Sequence, residues 1–276
     1  MEVKGWKYYN HAVIPVTAPN EEVDTSALEN GQVWRIGGNP LLTRWTTDFD
    51  CKCETNWWYV IKDEPFDIDN LKSKRRYEIK KGIKNFDVKR IDPSNYKDEL
   101  YKVQVAAFSA YPEKYRPTVV EEDFKRQIND WKTFDVFGAF YKETGEFAGY
   151  ALLSKTNDGF MEFNVLKTNP EHEKNAINAA LVYELMNYYA KFLLTGGIIC
   201  DGARSINHET HFQNYLEKYF GFRKAYCHLK IEYNPKVKWL IKLLYMFRGL
   251  LLKMDGIGIV HSVNAVLKME EIVRND

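Results

Sequence analysis

The sequence lacks the features that mark secreted and membrane-spanning proteins. Its N-terminus, MEVKGWKYYNH, has no apolar segment of signal-peptide length. No window reaches the roughly 18 apolar residues that a membrane span needs. The nearest approach, residues 237–252, is interrupted by Lys238, Lys242 and Arg248. Repeats and low-complexity segments are missing too. We therefore expect a cytoplasmic globular protein.

Cysteine is scarce, with four residues in a chain of 276. Cys51-Lys-Cys53 is too tight for the usual zinc-knuckle spacing, and no second pair stands nearby. Cys200 and Cys227 lie in apolar, strand-like runs, where buried free thiols are common. This pattern predicts reduced cysteines, no disulfide framework and no metal site.

An excess of charge of one sign is missing as well. The 39 basic residues nearly balance the 38 acidic ones, so the formal net charge is +1. Global charge therefore argues neither for nor against a nucleic-acid partner, and only local patches are informative. Hydrophobic residues make up 45% and aromatic residues 15% of the chain, which is enough for a sizeable core. The length fits one large domain or two modest ones.

Residues 1–85 are predicted to form an irregular, β-rich extension that ends in a basic segment. Short strands are expected at residues 32–36 and 57–61, with turn-forming residues between them. Residues 72–84, KSKRRYEIKKGIK, then carry seven cations. Two interpretations of this run stay open: a solvated helix face, or a surface that attracts phosphates.

Residues 86–233 show a regular succession of strands and helices. Alternating or continuous apolar runs indicate strands at residues 86–91, 136–141, 147–154, 160–166, 197–202 and 222–233, the last being one bent strand or two. Helical apolar spacing indicates helices at residues 96–111, 119–131, 170–193 and 211–219. Asn169 and Pro170 suit the cap and the first position of the third helix. The predicted order is β-α-α-β-β-β-α-β-α-β.

This order resembles the GNAT superfamily of acyl-CoA N-acyltransferases. The segment YLEKYFGFRKA resembles that family's passage from a helix to the last strand, and VLKTNPEHEKNAINAAL sits where the family keeps its pyrophosphate loop. The resemblance implies an α+β fold, an α/β/α sandwich whose mixed, mostly antiparallel sheet has helices on both faces. It also implies acetyl-CoA or another acyl-CoA as co-substrate.

The resemblance also places the donor site. Neighbouring central strands, here near Val165 and Cys200, are expected to separate and expose unpaired main-chain donors. Backbone groups of Val165, Leu166 and Lys167 would then receive the donor. The pyrophosphate would lie at Lys174, Asn175 and Ala176.

One departure from the family pattern concerns this loop. The family's loop reads [Q/R]-x-x-G-x-[G/A], whereas Ile177 stands where its glycine is expected. A β-branched residue there restricts the close backbone approach that phosphate binding uses. Three interpretations follow: the cofactor sits differently, the donor is not a CoA thioester, or the site is inactive.

A second, narrower resemblance concerns the basic segment. LKSKRRYEIKKGIKNFDVKRI is similar to the lead-in to the second GNAT-like half of the Fem-type aminoacyltransferases. Those enzymes attach amino acids to peptidoglycan precursors and use charged tRNA as the donor. The resemblance implies tRNA as an alternative partner, although residues 1–85 are too short and strand-poor for a second complete GNAT-like unit.

Candidate catalytic residues follow from these resemblances. Glu162 shares a strand face with Asn164 and Leu166, and many GNAT enzymes hold a base in this strand. The family's proton-donating tyrosine usually stands where Glu217 is found, so we assign the acid to the neighbouring Tyr215. A solvated or ion-paired Glu162 is the structural alternative.

The polar stretch RSINHETH, residues 204–211, follows a predicted strand and supplies further candidates. His208 together with Glu209 is suited to deprotonate an acceptor, and Arg204 to bind a carboxylate or phosphate. Ser205 and Glu209 are further candidates for substrate binding, and a nucleophilic Ser205 is disfavoured because no G-x-S-x-G motif surrounds it. Alternatively, Asn207 or Thr210 only caps the next helix. Asp201 is expected in a turn, with a role in binding an amine as the alternative.

Residues 236–254 combine apolar residues with interspersed cations. This cationic amphipathic pattern suits a membrane interface, or a helix packed on the domain or across a dimer. The sequence thus predicts three segments: the extension 1–85, a GNAT-like domain 86–233 and C-terminal helices 234–276.

The leading functional hypothesis is a bacterial-type acyltransferase, cytoplasmic or peripheral at the inner membrane face. It would move an acyl group from acyl-CoA to an amine of a small molecule or saccharide, such as an amino sugar or a cell-envelope precursor. The alternatives are tRNA-dependent aminoacyl transfer and a non-catalytic binding protein of the same fold.

Overall fold

The computed structural model describes residues 2–113, 116–206 and 211–276. Its strands are β1 (Trp6–Tyr9), β2 (Ala12–Pro15), β3 (Leu42–Thr47), β4 (Trp57–Lys62), β5 (Phe86–Ile91), β6 (Phe134–Tyr141), β7 (Phe147–Asn157), β8 (Phe160–Thr168), β9 (Ile198–Ala203) and β10 (Arg223–Tyr233). Its helices are α1 (Ser26–Glu29), α2 (Ser73–Asn85), α3 (Lys97–Ser109), α4 (Glu121–Gln127), α5 (Ile177–Tyr188), α6 (Ala190–Leu194), α7 (His211–Phe220), α8 (Lys238–Met246), α9 (Arg248–Lys253) and α10 (Gly258–Asn275).

The predicted order of elements between residues 86 and 233 is confirmed, with local corrections. The long helix expected from Pro170 begins as a 3₁₀ turn, Pro170–Asn175, and becomes α-helical only at Ile177. The last predicted strand, 222–233, is the single strand β10, which begins at Arg223. The strand expected at residues 32–36 is wrong, because Gln32–Arg35 forms a 3₁₀ helix after Gly31, whose φ is +72°.

The chain divides into two compact units. The first unit consists of residues 1–60, 203–211 and 224–276, and the second of residues 61–202 and 212–223. Within the second unit the strand order is β9-β8-β7-β6-β5. The pairs β5–β6, β6–β7 and β7–β8 are antiparallel, and β8–β9 is parallel. The mixed, mostly antiparallel sheet expected from the sequence is thus confirmed.

Helices cover both faces of the second unit's sheet. Tyr150 and Leu152 of β7 pack in one cluster with Leu100 of α3 and Phe124 of α4. On the other face, β7 presents Gly149, which has no side chain. Helix α5 approaches so closely here that a Cβ added at Gly149 would lie 3.0 Å from the Cδ1 atom of Ile177. Because successive strand residues point to opposite faces, α3 and α4 lie on one face of the sheet and α5 on the other.

Within the first unit the strand order is β1-β2-β3-β10-β4. Strand β10 runs antiparallel to β3, and β2 runs parallel to β3. A core cluster joins Trp57, Cys227 and Leu229 of this sheet to Met269 of α10. A second cluster around Trp6 and Val13 closes the N-terminal part.

Helices α8 and α9 contain no buried residue. None of the helices in the part of the chain that the structure describes is long and apolar enough to cross a bilayer.

Candidate functional site

The parallel ladder between β8 and β9 is short and ends early. It joins Phe160 to Ile198, Met161 to Ile199 and Glu162 to Cys200, and no further pair follows among the described residues of these strands. Both strands continue beyond this point, β8 to Thr168 and β9 to Ala203. The two strands therefore separate after Glu162 and Cys200, which leaves a gap in the sheet of the second unit.

Two local features explain why the strands part. In β8, Leu152 of β7 pairs with Val165 whereas Leu153 pairs with Phe163, so Asn164 is an extra, bulged residue. A bulge bends its strand and increases its twist. In β9, Gly202 has a φ of +99°, a conformation that favours glycine, and its N–H lies 3.2 Å from the Cys200 sulfur. Both strands are thus redirected just past their last pair.

The phase of the β7–β8 ladder determines which backbone groups face the gap. Asn169 N–H donates to the carbonyl oxygen of Ala148 at 2.8 Å. Because hydrogen-bonded pairs alternate in an antiparallel ladder, Val165 and Lys167 direct their N–H groups to β7. Leu166 and Thr168 direct theirs to the opposite edge, where β9 has departed. Of the three predicted donor-receiving residues, Leu166 thus offers its amide to the gap.

Asp201 is the residue of β9 that directly follows the last pair. Burial raises the pKa of its carboxyl from 3.8 to about 7, although a hydrogen bond from the Gln213 side chain lowers it. The Gln213 amide nitrogen also lies 3.5 Å from the Gly202 carbonyl oxygen. A carboxyl that titrates near neutral pH at a gap in the sheet is suited to general-base work.

Glu162, the base predicted from the sequence, belongs to the last pair of the ladder itself. Its carboxylate lies 3.5 Å from the Asn164 side-chain nitrogen, and the residue is half-buried. Asp201 is one residue beyond the partner of Glu162, so alternation directs these two carboxylates to opposite faces of the sheet. Glu162 is on the face of α3, and Asp201 on the face of α7, where Gln213 lies.

Tyr215, the predicted acid, lies on α7 within an aromatic cluster. Its ring centroid is 4.9 Å from that of Tyr219 and 6.1 Å from that of Phe212, and Phe212 in turn contacts Phe163 of β8. The Tyr215 hydroxyl oxygen is buried and has no hydrogen-bond partner among the described residues. Burial, followed by the nearby charge of Glu78, raises the pKa of this phenol. The hydroxyl therefore stays protonated and remains available as a donor.

Comparisons with known proteins bear on the fold. FemX is 9% identical over 81% of this chain and 79% of its own, with a TM-score of 0.52. L-PGS from Bacillus licheniformis is 11% identical over 84% and 81%, with a TM-score of 0.50. A tandem GNAT protein from the clavulanic acid biosynthesis pathway covers 80% and 75% at 11% identity, with a TM-score of 0.44.

Together with the sheet described above, the likenesses to FemX and L-PGS show that the chain has a GNAT-like fold. At these identities the likeness concerns the fold alone. No protein-family model matches the sequence, and no curated protein matches it.

An acyl-CoA donor would be expected to place its pyrophosphate on the amides at the start of α5, the helix that follows the central strand of the GNAT-like fold. Here Ile177 and Ala180 are fully buried, Ala179 is 1% exposed and Ala176 is 7% exposed. Helix α2 packs on this turn so closely that a Cβ at Gly82 would lie 2.5 Å from the Ala176 carbonyl oxygen. The residues present do not fit a CoA pyrophosphate, because these backbone amides are inaccessible.

The predicted pyrophosphate residues take other roles or remain exposed. The Asn175 carbonyl accepts a hydrogen bond from the Asn85 side chain at 3.2 Å. Ala176 has a φ of +63°, so the left-handed residue before α5 is Ala176 rather than Ile177. Lys174 is exposed. Lys167 lies over the Phe108 ring at 4.5 Å, away from this loop.

The candidates after β9 belong to the first unit. Arg204 donates to the Asn56 carbonyl oxygen at 2.6 Å and lies over the Trp58 ring at 4.4 Å. Burial lowers the pKa of its guanidinium, and its Nε atom is buried without a hydrogen-bond partner in the described structure. Ser205 is half-buried. His208 and Glu209 lie outside the described residues, and their roles stay predictions.

The sequence gives little indication that the Asp201 carboxyl is unusual. Its position before Gly202 suggested a turn, and only its burial in the fold makes its carboxyl unusual. The one signal available in the sequence was an acidic residue inside the apolar strand GIICDG.

Proposed function

We propose that this protein transfers an aminoacyl group from tRNA to an acceptor at a membrane surface. The observation that carries the proposal is the buried first turn of α5, closed by Gly82 of α2, together with the open edge of β8. The first feature disfavours a CoA thioester as donor. The second leaves a gap between β8 and β9 in which an acyl group could be transferred. An aminoacyl ester donor has no pyrophosphate to place at the N-terminus of α5, so it is consistent with both features.

The surface of α2 supports a nucleic-acid donor. This helix has six cations, Lys74, Arg75, Arg76, Lys80, Lys81 and Lys84, and one acid, Glu78. Lys74, Lys80 and Lys84 are exposed, whereas Ile79 and Gly82 are buried. The buried face thus packs the helix on α5, and the outer face presents positive charge to phosphates.

The reaction uses groups of the second unit. The acceptor nitrogen or oxygen attacks the ester carbonyl carbon, and its proton passes to the Asp201 carboxylate. The Leu166 amide at the open edge of β8 donates to the developing oxyanion. The bond to the tRNA 3′ oxygen then breaks. Tyr215 donates a proton to this oxygen. The proton held by Asp201 then passes to the Tyr215 oxygen, which returns both side chains to their starting protonation states.

The acceptor is proposed to be a membrane-anchored molecule, such as a lipid headgroup or a cell-envelope precursor. Helices α8 and α9 expose large apolar side chains, including Trp239 at 65%, Met246 at 69% and Leu250 at 61% exposure. Lys242 and Lys253 are exposed on the same helices. Exposed apolar groups with interspersed cations favour an anionic lipid surface.

Two binding measurements test the donor. Calorimetry with acetyl-CoA is expected to show no heat of binding in the micromolar range. Aminoacyl-tRNA is expected to bind with an affinity that falls steeply as salt rises. Micromolar binding of acetyl-CoA without tRNA binding would return the donor to acyl-CoA, the hypothesis that the sequence favours. If neither acetyl-CoA nor aminoacyl-tRNA binds, the remaining hypothesis is a non-catalytic GNAT-like binding protein.

A further inference from the structure

Three side chains of the first unit that belong to distant parts of the sequence meet at one point. They are Cys51 and Cys53, in the loop after β3, and His228 in β10. Their sulfur and imidazole nitrogen atoms all lie within 4.8 Å of one another. Cys51 and His228 are half-buried and Cys53 is exposed, so an ion can enter from solvent.

The spacing of the two sulfurs matches metal coordination. The Sγ atoms of Cys51 and Cys53 lie 3.6 Å apart. Two thiolates bound tetrahedrally to zinc at about 2.3 Å each have their sulfurs separated by about 3.8 Å. The observed separation thus needs no rearrangement of the loop.

The fold fixes this geometry through the loop 48–56. His228 pairs with Thr47, the last residue of β3, so it lies where the cysteine loop begins. Asp48 and Asp50 turn the chain with φ values of +56° and +59°. Cys51 N–H then donates to the carbonyl oxygen of Tyr226 at 2.9 Å, two residues before His228. The Thr55 hydroxyl oxygen lies 2.9 Å from the carbonyl oxygen of Cys227 and 2.7 Å from that of Trp57, so the loop contacts β10 on both sides of the cysteines.

We propose that Cys51, Cys53 and His228 form a binding site for a thiophilic divalent ion, with Zn²⁺ as the physiological metal. Two thiolates and an imidazole are a soft donor set that selects zinc over the oxygen-seeking Mg²⁺ and Ca²⁺. Three protein ligands leave one tetrahedral position for solvent. The ion would clamp the loop 48–56 onto β10. The site belongs to the first unit and does not depend on the proposed transfer reaction.

The test uses Co²⁺ as a spectroscopic probe on the full-length, fully reduced protein. Binding is expected at one ion per chain, with thiolate-to-cobalt charge-transfer absorption in the near ultraviolet and tetrahedral d–d bands in the visible. Zn²⁺ is expected to displace the cobalt and remove both signals. The variants C51S, C53S and H228Q are each expected to weaken binding at least about 100-fold, because loss of an outer-shell partner alone costs about 10- to 100-fold.

Two matched controls separate ligation from general damage. Lys52→Gln changes the exposed residue between the cysteines, and Lys230→Gln changes the exposed residue two positions after His228; both are expected to bind like the wild type. In thermal unfolding, Zn²⁺ is expected to raise the Tm of the wild type and the controls but not of C51S.

The proposal is overturned if the fully reduced wild type shows no charge-transfer band. Disulfide formation in air does not affect this outcome, because the test uses reduced protein. Cobalt binding that survives H228Q at unchanged affinity and with an unchanged spectrum would also overturn it.

Discussion

The side chains of Asp201 and Gln213 hydrogen-bond where β9 ends and α7 packs on it. The Gln213 amide stabilises the Asp201 carboxylate, while burial favours the neutral acid and raises the pKa to about 7. The carboxyl therefore changes its charge in the pH range in which an enzyme of this kind would work.

Replacing Asp201 by Asn is expected to abolish acyl transfer and yet to stabilise the protein. Below the ordinary pKa of 3.8 the carboxyl is protonated in both states; between 3.8 and about 7 only the unfolded chain ionises, so stability falls as pH rises. The variant escapes this penalty and should be more stable by about 4 kcal/mol at pH 8 but not at pH 3. Urea denaturation at both pH values measures the difference.

The pH profile of the wild-type reaction provides an independent check on Asp201. If its carboxylate is the base, the transfer rate rises tenfold per pH unit below about 7 and levels off above it. Glu162→Gln serves as the matched control, since Glu162 lies on the opposite face of the sheet. If the residual transfer rate of D201N keeps the same pH midpoint as the wild type, the titration belongs to another group.

Replacing Tyr215 by Phe is expected to leave folding intact or to improve it. The Tyr215 hydroxyl is buried without a partner among the described residues, so its removal relieves a desolvation cost of about 1 kcal/mol. The transfer rate should fall, because the proton donor to the leaving oxygen is removed. Thermal unfolding and a single-turnover assay distinguish the two effects. Full activity in Y215F would remove this residue from the mechanism.

The basic face of α2 is expected to set the salt dependence of tRNA binding. Substituting exposed Lys80 and Lys84 by Gln should reduce the slope of log K against log salt by about 0.9 for each phosphate that is no longer neutralised. Lys191→Gln, an exposed lysine on α6, should leave the slope unchanged. Filter binding between low and physiological salt measures the slope for each protein. Equal slopes for the Lys80, Lys84 and Lys191 substitutions would contradict this role of α2.

The exposed apolar side chains of α8 and α9 are expected to bind anionic vesicles. The double substitution of Trp239 and Leu250 by Ser should weaken vesicle binding at least about 10-fold, because each side chain gains more than about 1 kcal/mol on burial. Leu194→Ser is the control, being 72% exposed elsewhere. Co-sedimentation with phosphatidylglycerol and phosphatidylcholine vesicles is the measurement, and equal binding of all proteins to both lipids would refute a charge-assisted surface.

Periodicity in the sequence was enough to predict the central elements. Apolar runs such as VFGAFY and the stripe Ile177, Leu181, Leu185 correspond to β6 and α5, because burial on a sheet or helix face imposes those spacings. Residues 32–35 form a 3₁₀ helix instead of the predicted strand, because short apolar runs do not distinguish a strand from a tight helix and Gly31 starts the turn.

The site was harder to predict because it depends on contacts between distant residues. The bulge at Asn164 and the turn at Gly202 decide where β8 and β9 part, and neither has a periodic signature. Likewise, Cys51-Lys-Cys53 taken alone excluded a zinc knuckle, whereas the third donor, His228, comes from a strand near the other end of the chain. Gly82 gave no indication that it would contact Ala176.

The close approach of Gly82 to Ala176 also has a consequence for chemical probes of this protein. A compound that carries a coenzyme A moiety presents a diphosphate, which a helix N-terminus can bind through its free amides. In this protein Ile177, Ala179 and Ala180 in the first turn of α5 are buried, so such a compound is not expected to bind there. For the proposed aminoacyl-tRNA donor, ligands that mimic an aminoacylated adenosine without a diphosphate are the better starting point for inhibition.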